Sequence, residues 1–328
     1  MRAVWYDRLG PAEEVLQFGE LPTPIPGEGE VRIRLYASGV NPADVKRRVG
    51  TGMEFPRIIP SSDGAGVVDL CGPGVEPGRL GRRVWLFNGQ RFRPFGTAAE
   101  YITLATWHLA PLPDDVSMAE GACLGIPCMT AHRCLFADGP VEGLRVLVTG
   151  GAGAVGHYAV QWAKWGKAAQ VIATVSSEAK AVEAREAGAD VVVNYRTDNV
   201  AEAVRRATGG AGIDRIVEVD LAGNFEASLA VLASGGVIAV YASSGVLPTE
   251  GLVPRLMRHN AVLRFVILNS IPLPAMRHAQ TDIAAWLAGG TARHRVAARF
   301  PLEQTVAAHH AVEAGDKRGT VVVEIMPE

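Results

Sequence analysis

Leu144-Arg145-Val146-Leu147-Val148-Thr149-Gly150-Gly151-Ala152-Gly153-Ala154-Val155-Gly156 decides how the rest of the chain is read. Apart from Arg145 the run from Leu144 to Val148 is apolar, with β-branched Val146 and Val148 and no alternation, as expected of a parallel strand covered on both faces. Gly151, Gly153 and Gly156 then spell G-x-G-x-x-G, and Tyr158, Ala159, Trp162, Ala163 and Trp165 follow at helical spacing before Gly166. One glycine serves the turn, one lets backbone approach a pyrophosphate, and one allows close helix–strand packing, with helix N–H groups facing the anion. With 37 glycines in the chain the spacing alone is weak, and an ordinary tight turn would also satisfy it. The strand before and the helix after make it a dinucleotide-binding motif.

Working outward, 328 residues with 48% hydrophobic content suffice for two cored domains. A net charge of −2, with charges interspersed, excludes an electrostatic case for nucleic acid or an anionic membrane as partner. Cys71, Cys123, Cys128 and Cys134 form no C-x-x-C pair, and Met1 to Tyr6 lacks the apolar region of a signal peptide. No apolar run approaches the ~18 residues of a membrane span. A cytoplasmic protein with reduced thiols is expected.

Before the glycine stretch, residues 1–115 carry short β-type segments, Glu30 to Ser38, Gly64 to Leu70, Arg82 to Phe87 and Ala99 to Leu104, between Pro- and Gly-rich turns: a barrel-like β unit. Helical pattern starts at Ser117. From Leu144 onward, strands at Arg145 to Val148, Val171 to Thr174, Val191 to Val193, Arg215 to Glu218, Val237 to Tyr241 and Val262 to Leu268 alternate with helices, which predicts a doubly wound parallel sheet. The tail reads as a helix, Leu302 to Ala314, a turn at Gly315 to Gly319, and a strand, Thr320 to Ile325, returning to the first domain.

The second strand of the sheet ends where NAD-binding proteins place an acidic residue on the adenosine ribose. Here it runs into Ser176-Ser177-Glu178-Ala179-Lys180. Ser176 and Lys180 suit a 2′-phosphate, which a carboxylate would repel, so NADPH is the expected cofactor. Glu178 dissents unless it caps the helix that starts there, and the alternative for Lys180 is a solvated helix position.

Five segments in order extend the reading: Gly39-Val40-Asn41-Pro42-Ala43-Asp44, Pro60-Ser61-Ser62-Asp63-Gly64-Ala65-Gly66-Val67-Val68, Gly125-Ile126-Pro127-Cys128-Met129-Thr130-Ala131-His132, the Gly150–Gly156 loop, and Val193-Asn194-Tyr195-Arg196. Over nearly its full length the chain resembles the medium-chain dehydrogenase/reductase superfamily, and within it the zinc-free, zeta-crystallin-like quinone oxidoreductases. The resemblance implies an α/β fold in which residues 123–268 form a Rossmann NADPH-binding domain, and residues 1–122 with 269–328 a GroES-like β-barrel catalytic domain. It implies pyrophosphate contacts at Ala152, Gly153, Ala154 and Val155 beside Gly151, and 2′-phosphate contacts at Ser176, Lys180 and Tyr195. Asn41 and Thr130 are implied near the nicotinamide, with Asn224, Tyr241, Ala242, Ser243, Ser244, Phe265 and Val266 closing the site. Val155, Phe265 and Val266 would be core in any Rossmann fold, and Asn224 would equally serve as a helix cap.

The superfamily's alcohol dehydrogenases bind catalytic zinc through Cys, His and Cys at positions that read Asn41, Ser62 and Ile126 here. Amide, hydroxyl and alkyl groups do not replace thiolate and imidazole, and Trp85 to Ala99 lacks the cysteines of the structural zinc lobe, so no metal is expected. His309 and His310, adjacent on a helix, cannot face one ligand together. Relatives often carry a Tyr five positions after the Asn, where this chain has Lys46, either a group drawing a carbonyl or anionic substrate or part of a solvated face.

The expected reaction is NADPH-dependent reduction of a quinone or another electron-poor conjugated carbonyl, with Asn41, Lys46 and Thr130 as hydrogen-bond donors to the developing oxyanion. An enoyl or 2-alkenal reductase, adding hydride to an activated C=C, is the second reading. A non-catalytic NADPH-binding or RNA-binding crystallin-like role is the third, opposed by the lack of a basic patch with interleaved aromatics. The resemblance also implies a homodimer or homotetramer, formed through the Val262 to Leu268 strand.

Overall fold

The computed structural model describes residues 1–50, 52–247 and 249–328. The chain parts into two compact units, Cys128–Ala279 and Met1–Pro127 with Gln280–Glu328.

In the Cys128–Ala279 unit, six parallel strands lie in the spatial order Val191–Asn194, Gln170–Val175, Arg145–Val148, Ile213–Glu218, Leu232–Val240, Val262–Phe265. In chain order this is 3-2-1-4-5-6, the doubly wound arrangement, with its reversal between Arg145–Val148 and Ile213–Glu218. Val146, Leu147 and Val148 are buried, and Leu147 shares a core with Ile172, Ile216, Phe225 and Ile238. The absence of alternation in the sequence therefore reports a strand covered on both faces.

Two boundaries differ from expectation. The fifth strand starts at Leu232, five residues early, where Gly235 and Gly236 mask a β pattern. The sixth ends at Phe265, because Leu268–Ser270 turns into a 3-10 helix. Phe265 is not core: it sits on the outer strand of the sheet and is 67% exposed, whereas Val266 is buried.

The other unit is built on Glu30–Val40. This long strand pairs antiparallel with Asp63–Cys71 along one edge. Its other edge is shared, Glu30–Arg34 by Tyr101–Ala105 and Ala37–Val40 by Thr320–Glu324, as expected where a strand bends across a barrel-like sheet. The tail does return to this unit, Val321 lying opposite Val40. It brings a parallel partner that the sequence reading lacked, Val296–Pro301, joined to Thr320–Glu324 through the helix Thr305–Glu313. The short pair Arg2–Trp5 and Gln17–Glu20 was not anticipated either. Among the described residues, no helix is long and apolar enough to cross a membrane.

Candidate functional site

The glycine loop is tied down before it reaches any ligand. Gly150 takes φ +70°, and its N–H donates to Thr174 Oγ1 at 3.1 Å. Gly151 N–H donates to Thr174 O at 2.9 Å, and Gly153 N–H to Gly150 O at 2.9 Å. A Cβ on Gly151 would lie 2.7 Å from Ala173 Cβ, and one on Gly156 only 2.1 Å from Gly150 O, so no other residue fits without moving backbone. Gly153 is the N-cap of the helix Ala154–Trp165, leaving the N–H groups of Ala154 and Val155 without intrahelical acceptors at a positive helix end. Such a cradle fits a dinucleotide pyrophosphate.

Beneath it lies a residue that the sequence reading missed. Glu218, wholly buried at the end of its strand, accepts through Oε1 from Thr149 Oγ1 (2.9 Å), Asp220 N (2.8 Å) and Asn224 Nδ2 (2.7 Å), and through Oε2 from Ser228 Oγ (2.8 Å). Asn224 therefore sits inside the helix Leu221–Val231 as a donor to Glu218, and the N-cap position belongs to Asp220. Tyr241 N–H donates to Glu218 O at 3.1 Å. Ser243 Oγ accepts from Ala222 N at 3.1 Å, while Ser244 reaches Asp220 through both N and Oγ at 2.7 Å. Ala242 lies between them, its carbonyl accepting from Leu221 N at 3.3 Å. A carboxylate closing an apolar parallel strand beside a glycine loop was the available signal.

Ser176 follows the end of Gln170–Val175, and Tyr195 follows Val191–Asn194, the neighbouring parallel strand. Tyr195 is half exposed and donates N–H to Val175 O at 3.0 Å. Ser177, rather than Glu178, caps the next helix, its Oγ accepting from Lys180 N at 3.4 Å. Glu178 is bound to Arg185 at 2.8 Å, so its carboxylate is spent along its own helix. Ser176 and Lys180 are half-buried, and Arg196, not singled out in the sequence, is exposed beside Tyr195. Thr130 is buried in the helix Met129–Phe136.

In the other unit Asn41 caps the helix Pro42–Arg48, where Asp44 Oδ2 accepts from Asn41 N at 2.8 Å. Asn41 Nδ2 donates to Asp63 Oδ2 at 2.7 Å, and the same oxygen accepts from Ile126 N at 2.8 Å. Asp63 Oδ1 and Asp44 Oδ1 are buried without a hydrogen-bond partner among the described residues. Burial pushes the Asp63 carboxyl well above the usual range, with the neighbouring Asp44 adding to it, and pushes Asp44 up to about 6. Lys46 is exposed on the same helix.

The positions at which zinc would be held thus carry an amide committed to Asp63, the buried hydroxyl of Ser62 and the alkyl chain of Ile126, a donor set that does not fit zinc. Among the described residues no three His, Cys, Asp or Glu groups converge. His309 is buried against Arg48 Nε at 3.3 Å while His310 bonds Glu13 at 2.9 Å, so the two face different partners.

Two family models match: an alcohol dehydrogenase GroES-like domain over residues 27–114 and a zinc-binding dehydrogenase over residues 154–281. The chain is 30% identical to a quinone oxidoreductase of Lama guanicoe, over 94% of this chain and 92% of that protein. It is 30% identical to a 2-haloacrylate reductase of Burkholderia sp, over 98% of each. A mycobacterial protein solved in complex with NADPH superposes with a TM-score of 0.88 at 31% identity, over 99% of this chain and 100% of that one. The chain belongs to the quinone oxidoreductase group of the medium-chain dehydrogenase/reductase superfamily.

Proposed function

We propose that this protein reduces quinones, or related electron-poor conjugated carbonyls, with NADPH and without zinc. The observation that carries this reading is the hydrogen-bonded Asn41–Asp63–Ile126 arrangement at the place of the metal ligands. Bound NADPH supplies the hydride. Gly151 to Val155 hold its pyrophosphate, Ser176, Lys180 and Tyr195 its 2′-phosphate, and Asn224, the Tyr241–Ser244 segment, Phe265 and Val266 border the site. Asn41, Lys46 and Thr130 are assigned as donors to the oxygen that gains negative charge. A quinone has the electron affinity to accept hydride without a Lewis acid, and one proton from water completes the hydroquinone, so orientation and a few donors suffice. The four cysteines, none of them in a disulfide, suit the cytoplasm, and the edge strand Val262–Phe265, with Phe265 and, just beyond it, Ile267 each 67% exposed, suits a homo-oligomer. Steady NADPH oxidation is expected across 1,4-quinones. A protein that binds NADPH but turns over none of them would sink the quinone assignment.

The likeness to a 2-haloacrylate reductase favours a second reading, hydride addition to the β-carbon of an activated alkene with solvent protonating the α-carbon. Deuterium from labelled NADPH would then appear at the β-carbon of an enone product.

A further inference from the structure

Resting on the reading of Asn41 as a substrate-facing donor, we propose that Asp63 is its positioning residue, holding the Asn41 carboxamide in one orientation by clamping it to the main chain of Ile126. One oxygen, Asp63 Oδ2, takes both hydrogen bonds, from Asn41 Nδ2 at 2.7 Å and from Ile126 N at 2.8 Å. A carboxamide on a free χ2 swings broadly; the capping contacts of Asn41 with Asp44 limit it at the helix start, and the bond to Asp63 fixes its amide end.

The surroundings are built for a carboxyl at this place. Thr97 Oγ1 donates to Asp63 O at 2.8 Å and meets Ser38 Oγ at 2.7 Å, which fixes the Asp63 backbone. A Cβ at Gly125 would stand 2.0 Å from Asp63 Oδ1, so only glycine lets the Leu124–Cys128 turn close over the carboxyl. At Gly39 a Cβ would meet Ala122 O at 2.4 Å and Asp63 Cβ at 3.4 Å. A wholly buried acid with one oxygen unpaired among the described residues is costly to keep, and an apolar residue would fill the same space more cheaply. Its orientation of Asn41 accounts for its presence. The arrangement joins the Asn41 and Ile126 segments by hydrogen bonds, where metal-dependent relatives join the same segments through an ion.

The test compares Asp63→Ala, Asp63→Asn and Gly125→Ala with the wild type by side-chain ¹⁵N relaxation at Asn41 and by kinetics. In the wild type and Asp63→Asn, whose amide oxygen still accepts both bonds, the Asn41 NH2 order parameter is expected near about 0.85; in Asp63→Ala it falls below about 0.6. Gly125→Ala, which keeps the acid but displaces it, is expected to loosen Asn41 as well. Turnover in Asp63→Ala is expected to drop about a hundredfold with the KM for NADPH unchanged, and Asp63→Asn to recover most of it. In an Asn41→Ala background the Asp63→Ala loss should vanish, because Asp63 acts only through Asn41. An Asn41 side chain that stays rigid in a folded Asp63→Ala protein, or losses that add in the double variant, overturns the proposal. Absence of turnover in the wild type would count against the reductase reading, while the relaxation measurement still decides the role of Asp63.

Discussion

In each unit a buried carboxyl accepts from an asparagine side-chain amide, and the two do so differently. In the parallel-sheet unit Glu218 accepts four hydrogen bonds, from Thr149, Asp220, Asn224 and Ser228, using both oxygens. In the GroES-like unit Asp63 accepts two through one oxygen, while the other has no hydrogen-bond partner among the described residues. Glu218 is a keystone of the fold, since Thr149 leads into the glycine loop and Asp220 starts the next helix. Asp63, poorer in partners, is worth less to stability and more to the orientation of a single amide. Here the fully partnered acid belongs to the scaffold, and the half-partnered one is the candidate positioning residue.

The strongest challenge to this contrast is Glu218→Ala. Removing the acid takes the acceptor from Asp220 N, Asn224 Nδ2 and Ser228 Oγ, while Thr149 keeps Val217 O, a loss of about 3–5 kcal/mol. At the few degrees per kcal/mol usual for domains of this size, differential scanning calorimetry should show the midpoint down by on the order of 10 °C. NADPH affinity, measured by fluorescence quenching, should fall with it. The matching change in the other unit, Asp63→Ala, is expected to cost only about 1–3 kcal/mol. The contrast breaks if Asp63→Ala melts as low as Glu218→Ala.

A smaller effect probes the cofactor end of the first unit. Lys180→Ala should weaken NADPH about tenfold and leave NADH unchanged, worth about 1.4 kcal/mol. Equal weakening of both cofactors would remove Lys180 from the 2′-phosphate.

A pH dependence in the second unit gives a further test. Burial, with Arg48 adjacent, pushes His309 down from 6.5 to about 3. Its folded pKa lies below the unfolded one, so the unfolded chain binds more protons between pH 6.5 and 3, and stability from this group is lost as pH falls through that window. The slope is up to about 1.4 kcal/mol per pH unit. Asp44 has the opposite sign: its folded pKa of about 6 exceeds the unfolded value, and stability is lost as pH rises from about 4 to 6. His309→Gln removes only the first contribution, so the gap in melting temperature between wild type and variant should narrow from pH 7 to pH 4. A gap that stays constant would contradict the neutral, buried His309.

The same two regions explain what was legible in the sequence. The glycine loop and the strand before it were readable because Val146 to Val148 is apolar and buried and the glycines are forced by contacts of 2.1 to 2.7 Å. The return of Thr320–Glu324 was readable from its β character. Val296–Pro301 was not, since Ala297, Ala298 and Arg299 carry no period-2 pattern. The exposure of Phe265 was not legible, because an apolar residue on a sheet edge looks the same in sequence as one in the core. Asp63 lies within Pro60 to Val68, where nothing local distinguishes a buried acid from an exposed one, and its partners, Asn41 and Ile126, are 22 and 63 residues away. The resemblance points to Asn41, and only the fold shows that Asp63 holds it.

Single-turnover mixing tests most directly the proposal that nicotinamide hydride reaches a quinone here without a metal. Protein preloaded with NADPH and dialysed against a strong zinc chelator is mixed with excess 1,4-benzoquinone, and nicotinamide absorbance and hydroquinone are followed together. The account predicts one hydroquinone formed per NADPH consumed, at a rate the chelator leaves unchanged. NADPH that stays bound and reduced, or a reaction that returns only when zinc is added back, would contradict it.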